Sequence, residues 1–127
     1  MKNRSYKKVV VTEKAEKSIL LGHPWIYGTE ILRKDDIQNG EIVDVIGRKE
    51  KYLGSGFYND CSKITVRLLS RNANDLFDYD FFKRRVKYAY ELRKQTMNSL
   101  DAVRLIYGEA DGFPGLTVDK FHDVLII

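Results

Sequence analysis

One cysteine, two prolines, nine glycines and no apolar run longer than four residues in a chain of 127 leave few architectures open. Cys61 alone closes no internal disulfide and builds no metal cluster, so the fold must hold itself by burial, as in a reducing compartment. So little glycine and proline excludes collagen-like repetition. The longest apolar run, residues 124–127, falls far short of the roughly 20 residues that span a bilayer. The basic lead over residues 1–8 lacks the apolar stretch of a secretory signal. The chain thus reads as cytoplasmic, with no membrane partner. Aromatics at 12% and hydrophobics at 43% argue against disorder and for one or two small globular units.

Net charge is +4, and its distribution says more than its size. Residues 1–70 hold 13 basic and 9 acidic side chains, whereas residues 71–127 hold 9 of each. A basic first half points to a polyanion, with a merely solvated surface as the alternative.

The first half reads as β-rich. Val9, Val10 and Val11 predict a strand, and Thr12 caps a helix with Glu13 and Glu16 in its first turn and Ala15, Ile19 and Leu20 on its apolar face. Gly22 stands where a left-handed cap is needed, and His23-Pro24 forbids continuation. Trp25, Ile26 and Tyr27 lead into an irregular stretch through Arg33, Lys34, Asp35 and Asp36, with Trp25 expected in the core. From residue 42 the period is two. Strands are predicted over residues 42–46, 52–57 and 63–70, and Gly54 and Gly56 mark a bulge, a barrel bend or a close backbone approach. Closure into a small barrel is the expected outcome.

The pattern breaks around residues 71–75. A long helix follows, capped by Asp78 or Asp80 and ending near residues 97–99, with Phe82, Val86, Ala89 and Tyr90 at helical spacing. Lys83, Arg84 and Lys87 read as its solvated face. Strands are expected over residues 103–107, 116–121 and from 124 onward, with a turn-rich loop at 108–115. The apolar ending Val124, Leu125, Ile126, Ile127 reads as a truncation of something longer.

Two stretches are recognisable together: Gly22-His23-Pro24-Trp25-Ile26-Tyr27 and Gly108-Glu109-Ala110-Asp111-Gly112-Phe113-Pro114-Gly115-Leu116-Thr117-Val118-Asp119. Between them lie Gly54-Ser55-Gly56-Phe57-Tyr58-Asn59 and Ile64-Thr65-Val66-Arg67-Leu68-Leu69. In this order the chain resembles the RlmI-type class I S-adenosylmethionine-dependent methyltransferases of 23S ribosomal RNA. The resemblance implies an α+β chain: a PUA-like small β-barrel over residues 1–73, then the start of a small α/β (EEHEE-like) domain over residues 74–127. The Rossmann-like domain that binds S-adenosylmethionine, and any cysteine used on the base, would lie in a part absent here. Cys61 is then a bystander, and no catalytic or metal-ligating residue is expected in this chain.

By the same resemblance, the RNA surface of the barrel falls on Lys14, Lys17, Gly22, His23 and Arg33. The 108–115 loop would border the active site, with Glu109, Asp111 and Asp119 as supporting residues. The residue types alone explain Glu109 and Asp111 as turn formers. His122 occupies a turn position where family members often carry glycine. Physical features also favour RNA: Lys7, Lys8, Lys14 and Lys17 lie on or beside one short helix, Arg33, Lys34, Arg48, Lys49 and Lys51 lie in loops, and Tyr27 or Tyr58 could stack an unpaired base if exposed. The expected partner is ribosomal RNA, with a homodimer left open. A stand-alone, non-catalytic RNA-binding or ribosome-associated module is the competing reading. Neither the target nucleotide nor the methylated atom is legible.

Overall fold

Three consecutive valines and the capped helix after them set the first turn of the chain in the computed structural model, which describes residues 4–127. Strand β1 (Lys7–Val11) buries Val9 and Val11 completely. Thr12 then accepts a hydrogen bond on Oγ1 from the Ala15 amide at 3.2 Å and opens helix α1 (Glu13–Leu20). Ala15 and Ile19, one turn apart, bury one face of α1, while Leu20, expected on the same face, is 61% exposed. Gly22, at φ +105°, ends the helix in the backbone region that only glycine enters cheaply.

Strands β2 (Trp25–Tyr27), β3 (Ile31–Lys34), β4 (Ile42–Ile46), β5 (Tyr52–Tyr58) and β6 (Ile64–Ser70) complete the first unit, Met1–Asn74. They form one sheet in the order β2-β6-β5-β4-β1-β3, with β1 parallel to β4 and the other pairings antiparallel. The edge strands β2 and β3 are consecutive in the chain, joined only by the 3-10 turn Gly28–Glu30. Such a link reaches at most about 14 Å, whereas five strand spacings of a flat sheet span about 24 Å. The sheet must therefore curl, and it forms a half-barrel whose edges approach without hydrogen-bonding to each other in a closed ring.

Gly54 and Gly56 permit this curl. A Cβ at Gly56 would collide with the Arg67 carbonyl across the β5–β6 pair, whose register shifts beside it. Inside the curve, Val9, Val43, Val45, Ile26 and Val66 are fully buried with Ile19 of α1. Each such side chain contributes about 1.5–3 kcal/mol by leaving water.

Two further expectations for this unit are corrected. Residues 31–34 are a strand, because an edge strand pairs on one side only and tolerates polar side chains such as Arg33 and Lys34 on its open face. Trp25 is 40% exposed and Ile26 takes the core position, since a three-residue strand points only its middle side chain inward. Tyr58 is 1% exposed and belongs to the core, so it cannot stack on a ligand.

The second unit, Asp75–Ile127, has helix α2 (Tyr79–Thr96) and the antiparallel strands β7 (Ala102–Tyr107), β8 (Thr117–Phe121) and β9 (Val124–Ile126). Asp78 caps α2 by accepting from the Phe81 amide at 2.9 Å. Ala89 of α2 packs with Ile106, Phe113 and Val118, with Phe82 partly buried against them; Val86, expected on that face, is 47% exposed. Among the described residues no helix is long and apolar enough to cross a membrane.

Candidate nucleic-acid interface

One flank of α1, the turn after it and strand β2 enclose an open groove of about 280 Å³, lined by Lys14, Ser18, His23, Pro24, Trp25, Tyr27, Thr29 and Glu30. The chain builds it locally. The left-handed Gly22 and the following His23-Pro24 turn the backbone from helix into strand, so that the flank of α1 faces the outward side chains of β2. Trp25 and Tyr27, 40% and 44% exposed, stand on that outward face.

Of the five residues expected to form the RNA surface, the fold brings Lys14 and His23 into this groove, with Gly22 at its turn. Lys17 lies outside its lining, at 3.0 Å from Glu13 one helical turn back. The exposed Glu13 carboxyl is held below the usual carboxylate range, chiefly by its hydrogen bond to Lys17. Arg33 lines a different depression, of about 170 Å³, with Lys8, Lys34 and Glu50, and its guanidinium donates to Glu50 at 2.8 Å. Lys7 is likewise taken by Glu41 at 3.0 Å. Lys14 has no ion-pair partner among the described residues, which leaves its ammonium available to an anion.

Two cations that the sequence did not single out complete the surroundings. Arg67 of β6 stands opposite Trp25 in the strand register, its guanidinium carbon 5.6 Å from the ring centre. Arg71 donates to the His23 carbonyl at 3.4 Å. Both follow from the antiparallel pairing of β2 with β6, a contact between residues some 40 positions apart that no local pattern announces.

The second unit presents residues 108–115 between β7 and β8. The 3-10 turn Gly108–Asp111 and Thr117 border a shallow depression of about 360 Å³ with Tyr107, Glu109 and Gly115. Glu109 is exposed beside it, whereas Asp111 and Asp119 are committed to structure. Asp111 accepts two hydrogen bonds from Arg93 of α2, at 2.5 and 2.6 Å, and one from the Tyr107 amide at 2.7 Å. The Arg93 hydrogen bonds hold its carboxyl below the usual range against the opposing effect of burial. Asp119 pairs with Arg104 at 2.8 and 3.1 Å and is lowered for the same reason. Cys61 is exposed in the turn between β5 and β6.

A cofactor of the adenosyl type needs a glycine-rich turn running from a strand into a helix, where the backbone approaches the ligand closely. The residues described here do not fit one. The strand-to-helix junctions, residues 11–13 and 70–79, contain no glycine, and the glycines of residues 108–115 join two paired antiparallel strands.

The curled sheet, its capping helix and the groove between them define a PUA-like domain: the family model of that description matches residues 9–71. Over nearly its whole length the chain is homologous to the RlmI-type proteins. It is 34% identical to "Ribosomal RNA large subunit methyltransferase I" of Enterobacter sp. strain 638 over 123 residues, 94% of this chain and 31% of that protein. The protein of the same name from Klebsiella pneumoniae strain 342 is 33% identical over 130 residues, all of this chain and 32% of that one. The chain thus spans about a third of the length of the curated relatives it matches. Among solved structures, a protein described as a methyltransferase complexed with SAH superposes with a TM-score of 0.77 at 22% identity, covering 93% of this chain and 31% of that one. One from Streptococcus mutans, described as SAM-dependent, gives 0.76 at the same identity and coverage. At that identity the likeness establishes the fold.

Proposed function

We propose that this chain is the RNA-binding and substrate-positioning part of an S-adenosylmethionine-dependent methyltransferase that acts on a base of 23S ribosomal RNA in the cytoplasm. Residues 1–73 grip the RNA, and residues 74–127 bridge toward a catalytic domain and its cofactor outside this chain. The observation that carries the reading is the groove of Lys14, His23, Trp25 and Tyr27, on a PUA-like unit whose relatives are named for large-subunit ribosomal RNA.

The cofactor, held elsewhere, supplies the methyl group. The residues here bind and orient. Lys14 and Arg71 offer positive charge to backbone phosphates, which gives affinity with little sequence preference. Arg93 and Asp111 fasten the 108–115 loop to α2, leaving Glu109 exposed where the loop would border the active site. No side chain of this chain is assigned a proton transfer, and the chain alone is inactive in this reading.

The test is methyl transfer from labelled S-adenosylmethionine to 23S ribosomal RNA by the product of the complete reading frame. Lys14→Glu should raise KM for RNA several-fold with kcat nearly unchanged, the mark of lost uniform binding. An unchanged KM would refute the positioning role. RNA binding without methyl transfer would leave a stand-alone RNA-binding module.

A further inference from the structure

Strand β2 keeps only Ile26 for the core and directs both of its aromatic side chains outward. A single exposed aromatic is unremarkable on any protein surface. Here two of them line the same concavity, which Lys14 also lines and which Arg67 and Arg71 adjoin. Lys14 reaches in from α1, Arg67 supports the Trp25 ring from the neighbouring strand, and Arg71 sits at the His23 carbonyl. The carboxylate of Glu30 is engaged by the Tyr27 amide at 3.1 Å, where it closes the 3-10 turn. Charge and π surface therefore coincide at a groove of about 280 Å³, just below the roughly 300 Å³ at which small-molecule pockets begin.

These features select among forms of RNA. Paired bases in an A-form duplex are stacked on each other, and the deep, narrow major groove excludes side chains, so a duplex offers no face to an aromatic ring. An unpaired base does, and an indole backed by a guanidinium is a platform for it. Building on the RNA-binding reading above, we infer that this groove takes an unpaired nucleotide, its base stacked on Trp25 and its phosphate held by Lys14. The ligand class is single-stranded RNA, as in a loop, bulge or end.

Trp25 is the sole tryptophan of the chain, so its fluorescence reports the contact directly. The full chain is titrated with a short single-stranded RNA of mixed sequence and with a blunt duplex of the same composition, following both Trp25 emission and anisotropy of labelled RNA. The single strand should bind more tightly and quench Trp25 saturably. Trp25→Ala should weaken single-strand binding roughly 5- to 150-fold, with Trp25→Phe retaining most of it and duplex binding little changed. Should Trp25→Ala fail to fold, quenching in the unaltered chain still decides. Single-strand binding without quenching, or equal affinity for the duplex, overturns the stacking and leaves the RNA-binding reading intact. Binding of neither RNA overturns both.

Discussion

Arg4 and Asp44 meet as a two-pronged pair, Nε to Oδ2 at 2.9 Å and Nη2 to Oδ1 at 3.0 Å, with both side chains 5% exposed. Ser55 donates to the same carboxylate at 2.5 Å, and the third Arg4 nitrogen, Nη1, donates to the Ala73 carbonyl at 2.6 Å. One guanidinium thereby ties the beginning of the first unit to β4 and to the unit's last residues.

The two partners are not equivalent. Asp44 is fixed mid-strand between Val43 and Val45, whereas Arg4 precedes β1 and carries its charge at the end of a long side chain. Arg4→Ala leaves a buried carboxylate without its counter-charge and should cost roughly 3 kcal/mol; Asp44→Asn, which frees Arg4 to leave, should cost less. Urea unfolding of both variants checks the order.

What was legible in the sequence and what was not divides by range. Thr12, Gly22 and Asp78 act on neighbours within a few residues, and their capping roles follow from residue type alone. The Arg4–Asp44 pair joins positions 40 apart through the parallel pairing of β1 with β4, which no periodicity encodes. Trp25 leaves its expected place in the core, and Tyr58 fails the condition of exposure, because the period of two says that residues alternate, not which phase faces inward. Phase is fixed by the register of β2 and of β5 on β6, where Trp25 faces Arg67 and Tyr58 faces Val66. The groove was legible in part: Lys14 and His23 could be named, whereas Arg67 and Arg71 arrive through the sheet.

Asp111 makes the second unit sensitive to acid. Its carboxyl titrates below the ordinary aspartate value because Arg93 hydrogen-bonds the charged form. The resulting stability is present in full above the unfolded value of about 3.9 and is lost as pH falls through the lower, folded one. Asp111→Asn should therefore lower stability by about 3 kcal/mol near neutrality, and the gap from the unaltered protein should shrink progressively below pH ~4. Thermal unfolding across a pH series measures it.

Gly56 and Gly40 separate steric need from backbone need. Alanine at Gly56 drives a methyl group into the Arg67 backbone and forces β5 from β6, at a cost of at least about 3 kcal/mol. Alanine at Gly40, where φ is +92° and the space is open, adds only conformational strain of about 1–2 kcal/mol. Denaturant midpoints of the two variants should rank accordingly.

His122 carries φ +52° at the first of two residues joining β8 to β9, a position in a tight hairpin where glycine is preferred. His122→Gly should raise the melting temperature, with a gain of about 1 kcal/mol, while the backbone bond from residue 122 to the Asp101 carbonyl persists.

RNA affinity measured against salt concentration tests the assignment of the first unit most directly. Binding of single-stranded RNA by the full chain should fall linearly on logarithmic axes as salt rises, and Lys14→Glu should weaken it and flatten the slope by about one, whereas Lys17→Glu, already paired to Glu13, should do less. Affinity indifferent to salt, or unchanged by Lys14→Glu, would contradict a phosphate-gripping groove between α1 and β2.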